Sequence, residues 1–481
     1  MMYGEEKSDL LIVAAKLANN PQGAESVERR SGAKGNAEQP HMRRPQSRES
    51  MSQRLSRVRE AAKQRKKERF TALFHLLTAE ALENAFLSLS RKAAAGVDGV
   101  RWKDYAENLK VNIADLHRRL HQGSYRAQPG RRHYIPKADG KQRPLGIASL
   151  EDKIVQYALV KILNAVYEND FMGFSYGFRP GRSQHNALDA LATGLVRTNV
   201  NWVLDADISQ FFDKVSHEWL IRFIEHRIGD QRVIRLIRKW LTAGTSEEGE
   251  WRASEEGTPQ GAVISPLLAN IYLHYVFDLW AHQWRRRHAT GNVVMVRYAD
   301  DIVIGFDKRI DAQCFRIAMQ RRLKEFGRFA AENRASRGKG KPETFNFLGF
   351  THISGKDRSG RFMLIRKTRR DRMTATLKAI KDGLRKRWHY SIPEQGKWLR
   401  RVVQGYLNYH SVPGNYPMMR KFRIYVTDLW RRALRRRSQQ DDTTWTKANR
   451  LAAVWLPKVR VLHPWPVERF TARHPRQEPG A

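Results

Sequence analysis

Two apolar runs enclose a pair of adjacent carboxylates in the stretch NVVMVRYADDIVIGF, residues 292–306. Short apolar runs on both sides of a polar centre predict two strands joined by a turn at Tyr298–Asp301. Adjacent carboxylates at a tight turn repel each other and lose hydration beside a sheet. A divalent cation would remove that cost, and Mg²⁺ takes one or two protein carboxylates together with substrate phosphates. A solvated Asp-Asp turn is the simpler interpretation of the dipeptide taken alone.

A second source of carboxylates lies upstream, at the end of another predicted strand. Residues 201–207 predict a short strand, and Asp205 and Asp207 fall on the same face because side chains alternate along a strand. A sheet could bring Asp207 beside Asp300 and Asp301. Three carboxylates could then hold two metal ions, which activate a 3′-hydroxyl and stabilise a leaving pyrophosphate.

The composition indicates an anionic polymer as the partner. The chain has 481 residues with 88 Lys and Arg against 49 Asp and Glu, and its formal net charge is +39. Such a surplus repels itself unless it lies against a polyanion, and nucleic acid is the usual one. This argues against an ordinary small-molecule enzyme. The single cysteine, Cys314, excludes a disulfide framework and a Cys-based zinc module, and it fits a reducing compartment.

The N-terminal stretch carries little structural signal. Residues 1–50 are polar with little apolar periodicity, which predicts a disordered leader. The most apolar part, residues 10–18, is too short to span a membrane and contains Lys16. We therefore expect a soluble, cytoplasmic protein without membrane association.

Several predicted elements surround the carboxylates. Residues 134–145 predict a β-hairpin, because Asp139-Gly140 is a turn dipeptide that tolerates positive φ. Residues 150–168 and 183–197 predict amphipathic helices. The stretch 361–437 interleaves many cations with aromatic residues at helical spacing, as suits a nucleic-acid surface.

Four ordered blocks together resemble the reverse transcriptases encoded within bacterial group II introns, also called intron maturases. The blocks are SYGFRPGRS (175–183), GTPQGAVISPLL (257–268), RYADD (297–301) and GYLNYH (405–410). The resemblance covers roughly residues 55–475. It implies a bacterial, cytoplasmic protein and an α+β fold of the right-hand polymerase type. Its expected parts are a leader at 1–50, an N-terminal extension and fingers at 51–190, a palm at 191–360, and an all-helical thumb and maturase domain at 361–475.

The resemblance also implies a role for each matched residue. Asp207, Asp300 and Asp301 would be the catalytic ligands of two Mg²⁺ ions, with the Ile208 carbonyl as an extra ligand. The nucleotide-binding residues would be Lys137, Arg143, Phe212 and Gln260. Lys137 and Arg143 would grip the triphosphate from the hairpin, Gln260 would lie near the sugar, and Phe212 would select dNTPs by excluding a ribose 2′-hydroxyl. Residues 345–350 resemble the primer-grip strand. Core packing of Phe212, and a solvated basic hairpin at 137–143, remain the alternatives.

The expected partners are intron RNA, an RNA template with a DNA primer, and dNTPs. Candidate RNA-binding residues lie in the basic N-terminal helix and in the maturase region: Arg54, Arg57, Lys63, Lys66, Arg385, Arg387, Arg400, Tyr406 and Arg436. A plain solvated face is the alternative for the N-terminal helix.

Two departures from the family pattern leave a second function open. The Lys-Thr pair that relatives carry after the signature box is missing, and its loss would also remove an edge strand of the palm. Cys pairs of a zinc-dependent endonuclease are absent from this sequence, and His463 and His474 lack metal-ligand spacing. The main hypothesis is an RNA-directed DNA polymerase that also assists splicing and mobility of its intron. The alternative is an RNA-binding splicing maturase with a decayed polymerase. A retron-like or diversity-generating enzyme is a further rival, which the long region after Arg361 argues against.

Overall fold

The computed structural model describes residues 50–136, 142–198, 200–208, 210–326, 331–333, 344–356, 359–360, 362–437 and 443–473. Residues 1–49 of the predicted leader, the predicted Asp139-Gly140 turn and Lys137 lie outside these residues. No helix in the described ranges is both long and apolar enough to cross a lipid bilayer.

Helices dominate both ends of the part of the chain that the structure describes. Their bounds are α1 (Met51–Gln64), α2 (Ala79–Ser88), α3 (Trp102–Glu107), α4 (Leu109–Gln122), α5 (Leu150–Tyr167), α6 (Gln184–Arg197), α7 (His217–Glu225), α8 (Gln231–Thr242), α9 (Ser265–Leu273), α10 (Leu279–Arg287), α11 (Arg309–Phe326), α12 (Arg370–Arg385), α13 (Ile392–His410), α14 (Tyr416–Arg435), α15 (Trp445–Trp455) and α16 (Pro466–Arg473). The predictions of helices at 150–168 and 183–197 are confirmed by α5 and α6.

The strands form three sheets in the described part of the chain. Their bounds are β1 (Gly130–Pro136), β2 (Gln142–Ile147), β3 (Trp202–Ile208), β4 (Thr245–Glu247), β5 (Glu250–Arg252), β6 (Val293–Tyr298), β7 (Asp301–Phe306), β8 (Ala331–Asn333), β9 (Phe345–Phe347), β10 (Phe350–Lys356) and β11 (Phe362–Thr368). The sheet orders are β2-β1-β4-β5, β6-β7-β3-β8 and β11-β10-β9. The mixture of helices and sheets confirms the α+β prediction.

The sheet that carries the carboxylates is built from apolar strands. β6 and β7 form the predicted hairpin, and β3 pairs antiparallel with β7. Most side chains of β6 and β7 are buried, because helices cover the sheet and only the hairpin turn leaves the core. The expectation that this sheet lacks an edge strand is wrong. After α11 the backbone of β8 pairs with β3, where Ala331 lies opposite Ile208.

The predicted primer-grip segment is a tight hairpin rather than one strand. β9 and β10 are joined at Leu348 and Gly349, which both have positive φ (45° and 79°). β11 extends this sheet, so the region from 361 is not wholly helical as expected. The expected boundary at 360 falls between β10 and β11, and the one at 190 falls inside α6.

Two hydrophobic cores hold the described residues together. The larger core joins α1–α11 to the β6-β7-β3-β8 and β11-β10-β9 sheets. The smaller core lies among α12–α15 and includes Leu399, Phe422 and Trp430. Helix α16 contributes Phe470 to the larger core and no residue to the smaller one. A bidentate contact from Arg469 to Asp189 on α6 fastens it there.

Candidate active site

The carboxylate pair lies at a two-residue hairpin turn. Tyr298 pairs with Asp301 across β6 and β7, so Ala299 and Asp300 alone form the turn. Ala299 has φ of 57°, in the left-handed region that such turns require. The turn therefore holds Asp300 at the tip of the hairpin.

The strand register brings the upstream aspartate to the same place. Asp207 on β3 lies directly opposite Asp301 on β7. Directly opposed residues of an antiparallel pair have Cα atoms about 4.5–5.5 Å apart. The structure therefore gathers Asp207, Asp300 and Asp301 at one end of the sheet, as the sequence predicted.

The electrostatics of this cluster favour a cation. Burial raises the pKa of Asp300 to about 6, and repulsion from Asp301 and Asp207 adds to the rise, whereas Arg143 opposes it. A carboxylate whose ionised form is disfavoured in this way is stabilised by a positive charge beside it.

Carboxylate oxygens are the donor type that Mg²⁺ prefers. No group of three or more His, Cys, Asp or Glu side chains in the described ranges is arranged so that it could hold a metal ion by itself. Mg²⁺ does not need one, since it keeps several waters and takes phosphate oxygens from substrate. The Ile208 side chain is buried and apolar, and its carbonyl as an extra ligand stays a prediction.

Two predicted nucleotide-binding residues meet beside the carboxylates. Arg143 Nε on β2 donates to Gln260 Oε1 at 2.9 Å. Gln260 Nε2 in turn donates to Asp213 Oδ1 at 2.7 Å. The sequence did not single out Asp213, although it follows directly after the Phe211-Phe212 pair. These contacts fix the orientation of the Gln260 amide.

Backbone contacts explain how the loop around Gln260 is placed. The Gly146 N–H donates to the Gln260 carbonyl at 2.6 Å, and the Thr258 N–H donates to the Phe212 carbonyl at 2.7 Å. Gly257 has φ of 85°, and a Cβ there would lie 2.8 Å from the Phe212 carbonyl oxygen. Glycine is therefore required where the loop passes Phe212. Phe212 itself is half-buried, so core packing accounts for part of its ring.

A buried ion pair supports the hairpin turn that carries Asp300. Arg297 bonds Asp278 through Nε and Nη2, at 2.7 and 2.6 Å. Its Nη1 donates to the Ala299 carbonyl at 3.0 Å, and Nη2 also donates to Ser175 Oγ at 2.6 Å. We gave these residues no role from the sequence. The signal was present, because an arginine inside an apolar strand requires buried partners.

The predicted RNA-binding residues of the N-terminal region lie near the surface. Arg57, Lys63 and Lys66 are exposed, and Arg54 is half-buried. Arg54 and Arg57 line a cavity of about 410 Å³ with Val58, His75 and Leu76. This placement fits an RNA surface and a solvated face equally.

The predicted RNA-binding residues of the helical region differ in exposure: some are exposed and others pack against aromatic rings. Arg385, Arg400 and Arg436 are exposed, whereas the Arg387 guanidinium lies 4.4 Å from the centre of the Trp398 ring. Tyr406 is 8% exposed, and its ring stacks on Phe422 at 3.6 Å. The expectation that Tyr406 contacts RNA is therefore withdrawn, because packing between helices covers its ring.

Comparison with known proteins assigns the domain that carries these carboxylates. Residues 135–352 match the family model described as reverse transcriptase (RNA-dependent DNA polymerase). "Protein YkfC" of Escherichia coli is 43% identical over 206 residues, which are 42% of this chain and 54% of the relative. "Group II intron-encoded protein LtrA" of Lactococcus lactis subsp. cremoris is 37% identical over 223 residues, 46% of this chain and 37% of the relative.

A more distant match bears the maturase name. "Nuclear intron maturase 2, mitochondrial" of Arabidopsis thaliana is 29% identical over 110 residues, 22% of this chain and 15% of the relative. The matched part thus spans about half of the Escherichia coli relative and less of the others. Residues 135–352 are therefore a reverse transcriptase domain, and the chain is similar to proteins named as group II intron-encoded and as an intron maturase.

Proposed function

We propose that this protein is an RNA-directed DNA polymerase of a group II intron, which also binds intron RNA and assists splicing and mobility. The observation that carries the proposal is the register of β3 and β7, which sets Asp207 opposite Asp301 with Asp300 at the adjoining tip. A protein that only binds RNA has no need to hold three carboxylates together. The reaction adds a dNTP to a primer 3′-hydroxyl and releases pyrophosphate.

The chain's own residues bind and orient the reactants. Two Mg²⁺ ions held by Asp207, Asp300 and Asp301 would lower the pKa of the 3′-hydroxyl and stabilise the leaving pyrophosphate. Arg143 offers a forked cation to the triphosphate, and Lys137 a point charge. Asp213 holds the Gln260 amide beside Arg143. The Phe212 ring lies in the loop after Asp207, where it would exclude a ribose 2′-hydroxyl.

The charge of the whole chain supports the RNA-binding part of the proposal. The full sequence has a net charge of +39, and Arg385, Arg400 and Arg436 are exposed in the helical region. Such cations bind phosphates with little regard to sequence, so recognition of folded intron RNA would rest on shape and on single-stranded loops. We propose that α1–α5 and their hairpin form the fingers, the β6-β7-β3-β8 sheet the palm, and α12–α15 the thumb and maturase domain.

The alternative is a splicing maturase whose polymerase has decayed. The missing Lys-Thr pair favours it, because a proton donor to pyrophosphate would be lost. Lys324 near the end of α11 is the substitute candidate in the same part of the chain.

Primer extension on an RNA template decides between the two. Wild-type protein is compared with Asp300→Asn, and binding of group II intron RNA is measured in parallel for both. We expect extension by the wild type, loss of extension in the variant, and equal RNA binding. Tight RNA binding without extension by either protein would establish the splicing maturase instead.

A further inference from the structure

Phe178 combines a strained backbone conformation with a ring that is half exposed. Its φ is 59°, in the left-handed region that bulky residues rarely adopt. Its side chain is nevertheless 51% exposed, so burial of the ring does not offset this strain. Strained residues persist where the surrounding structure fixes them, and they cluster at functional sites.

Contacts on both sides of Phe178 impose this backbone conformation. Before it, the Gly177 carbonyl accepts a hydrogen bond from Asn270 Nδ2 at 2.7 Å, and a Cβ on Gly177 would lie 2.3 Å from the Ala299 nitrogen. After it, Arg179 forms a buried ion pair with Glu168 at 3.0 Å. The loop is therefore pressed against the Ala299–Asp300 turn, and the backbone on both sides of Phe178 is held in place.

Two other rings of the site border the Phe178 ring. Phe212 lies 6.5 Å away with an interplanar angle of 74°, and Tyr298 lies 6.4 Å away at 47°. Both are edge or tilted contacts between ring centres that are far apart, so neither ring stacks on the face of Phe178. Tyr298 directly precedes the turn that bears Asp300, and Phe212 lies in the loop after Asp207.

We propose that Phe178 is a stacking platform for a nucleotide unit at the catalytic carboxylates. The inference rests on the proposed polymerase function. Aromatic rings stack on every nucleobase irrespective of sequence, which suits a residue used in each cycle of synthesis. The nucleotide is either the incoming dNTP or the 3′-terminal unit of the primer. Both would stack a base on the Phe178 ring, and the experiment distinguishes the incoming dNTP from the primer terminus.

The test compares Phe178→Ala, Phe178→Gly and Phe178→Trp with the wild type. Three quantities are measured: the KM for dNTP, the Kd for primer–template in Ca²⁺ buffer, and the Tm. We expect the first two variants to raise KM or Kd by about tenfold, since one stacked base contributes that much, while Phe178→Trp stays within about twofold. A raised KM alone identifies the incoming nucleotide, and a raised Kd identifies the primer.

The Tm separates stacking from a structural role. Glycine adopts positive φ without steric cost, so Phe178→Gly should melt at or above the wild-type temperature while its affinity falls. The matched control is Trp202→Ala, an aromatic residue 44% exposed at the opposite end of β3 from Asp207, which should change neither KM nor Kd. Unchanged KM and Kd in Phe178→Ala, or a Tm loss in Phe178→Gly together with lost affinity, would overturn the inference.

Failure of the proposed function gives a different result. If the wild type does not extend a primer, the polymerase proposal fails, and the Kd for primer–template alone decides the role of Phe178. An unchanged Kd in the two small-residue variants would then reject the platform.

Discussion

Arg297 Nη1 donates a hydrogen bond to the carbonyl oxygen of Ala299, 3.0 Å away, from a guanidinium that Asp278 holds on its other edge. Both charged side chains are fully buried. The turn that presents Asp300 is therefore supported by a buried ion pair.

Asp278→Asn should destabilise the fold and the catalytic turn together. The substitution leaves the buried Arg297 charge without its partner, which costs about 3–5 kcal/mol. Guanidinium unfolding should therefore show a large loss for Asp278→Asn. Asp371→Asn, at the more exposed pair with Arg369, is the control and should cost less than about 1 kcal/mol. Equal losses in the two variants would contradict the support role.

Asp300→Asn should make the protein more stable without metal and less sensitive to Mg²⁺. The raised pKa of Asp300 means that its ionised form destabilises the folded state at neutral pH, and asparagine removes that cost. In buffer with chelator, the Tm of the variant should exceed that of the wild type. Addition of Mg²⁺ should raise the wild-type Tm more than the variant's. A variant that melts lower in chelator and gains the same Mg²⁺ shift would disprove the prediction.

Asp213→Leu should raise the KM for dNTP about tenfold with a smaller change in kcat. Asp213 accepts the hydrogen bond that orients the Gln260 amide beside Arg143, so its loss frees the amide to rotate. Asp213→Asn keeps an acceptor oxygen and should stay close to the wild type. Steady-state kinetics of primer extension measure both. If both variants raise the KM equally, the charge of Asp213, and not its hydrogen bond to Gln260, determines dNTP binding.

The stability of the fold should fall as the pH drops below 6.5. Burial lowers the pKa of His352 to about 3, and Arg366 opposite it on β11 adds to the effect. In the unfolded chain this imidazole titrates near 6.5, so acid protonates the unfolded state first and favours it. The loss from this residue is about 2 kcal/mol at pH 5. His185 and His410, whose pKa values burial lowers to about 3 and about 4, act in the same direction.

Unfolding of the wild type and His352→Phe at pH 7.5 and pH 5 measures this effect. Phenylalanine cannot take up a proton, and the site already stacks the ring on Phe345 at 4.8 Å. The variant should therefore lose less stability between the two pH values than the wild type. The same loss in both proteins would show that His352 is not responsible.

Arg400→Ala and Arg436→Ala should each weaken RNA binding and lower the salt slope by about 1. Both side chains are exposed in the helical region. Tyr406→Phe is the matched control, because the ring of Tyr406 is buried against Phe422 and should not reach RNA. Affinity for intron RNA is measured across a salt series. An unchanged slope in both arginine variants would place the RNA surface elsewhere.

Local patterns were sufficient where a feature depends on neighbouring residues. The β6–β7 hairpin follows from its apolar runs and polar turn, and α5 and α6 follow from their helical spacing. Patterns were insufficient where two distant segments meet. β8 supplies an edge strand from only three residues, too short to leave a periodic signal, and the hairpin at Leu348-Gly349 interrupts what resembled one strand.

The sequence by itself determined which residues could carry the chemistry, because a net charge of +39 and adjacent aspartates inside apolar strands are properties of composition and near-neighbour order. Only the tertiary structure decided that Asp207 lies opposite Asp301, that Asp213 orients Gln260, that Arg297 holds the Ala299 carbonyl, and that Tyr406 is buried. These relationships depend on strand register and helix packing between segments far apart in the chain. Shifting a strand by one residue would turn every side chain to its other face, and no local pattern fixes that choice.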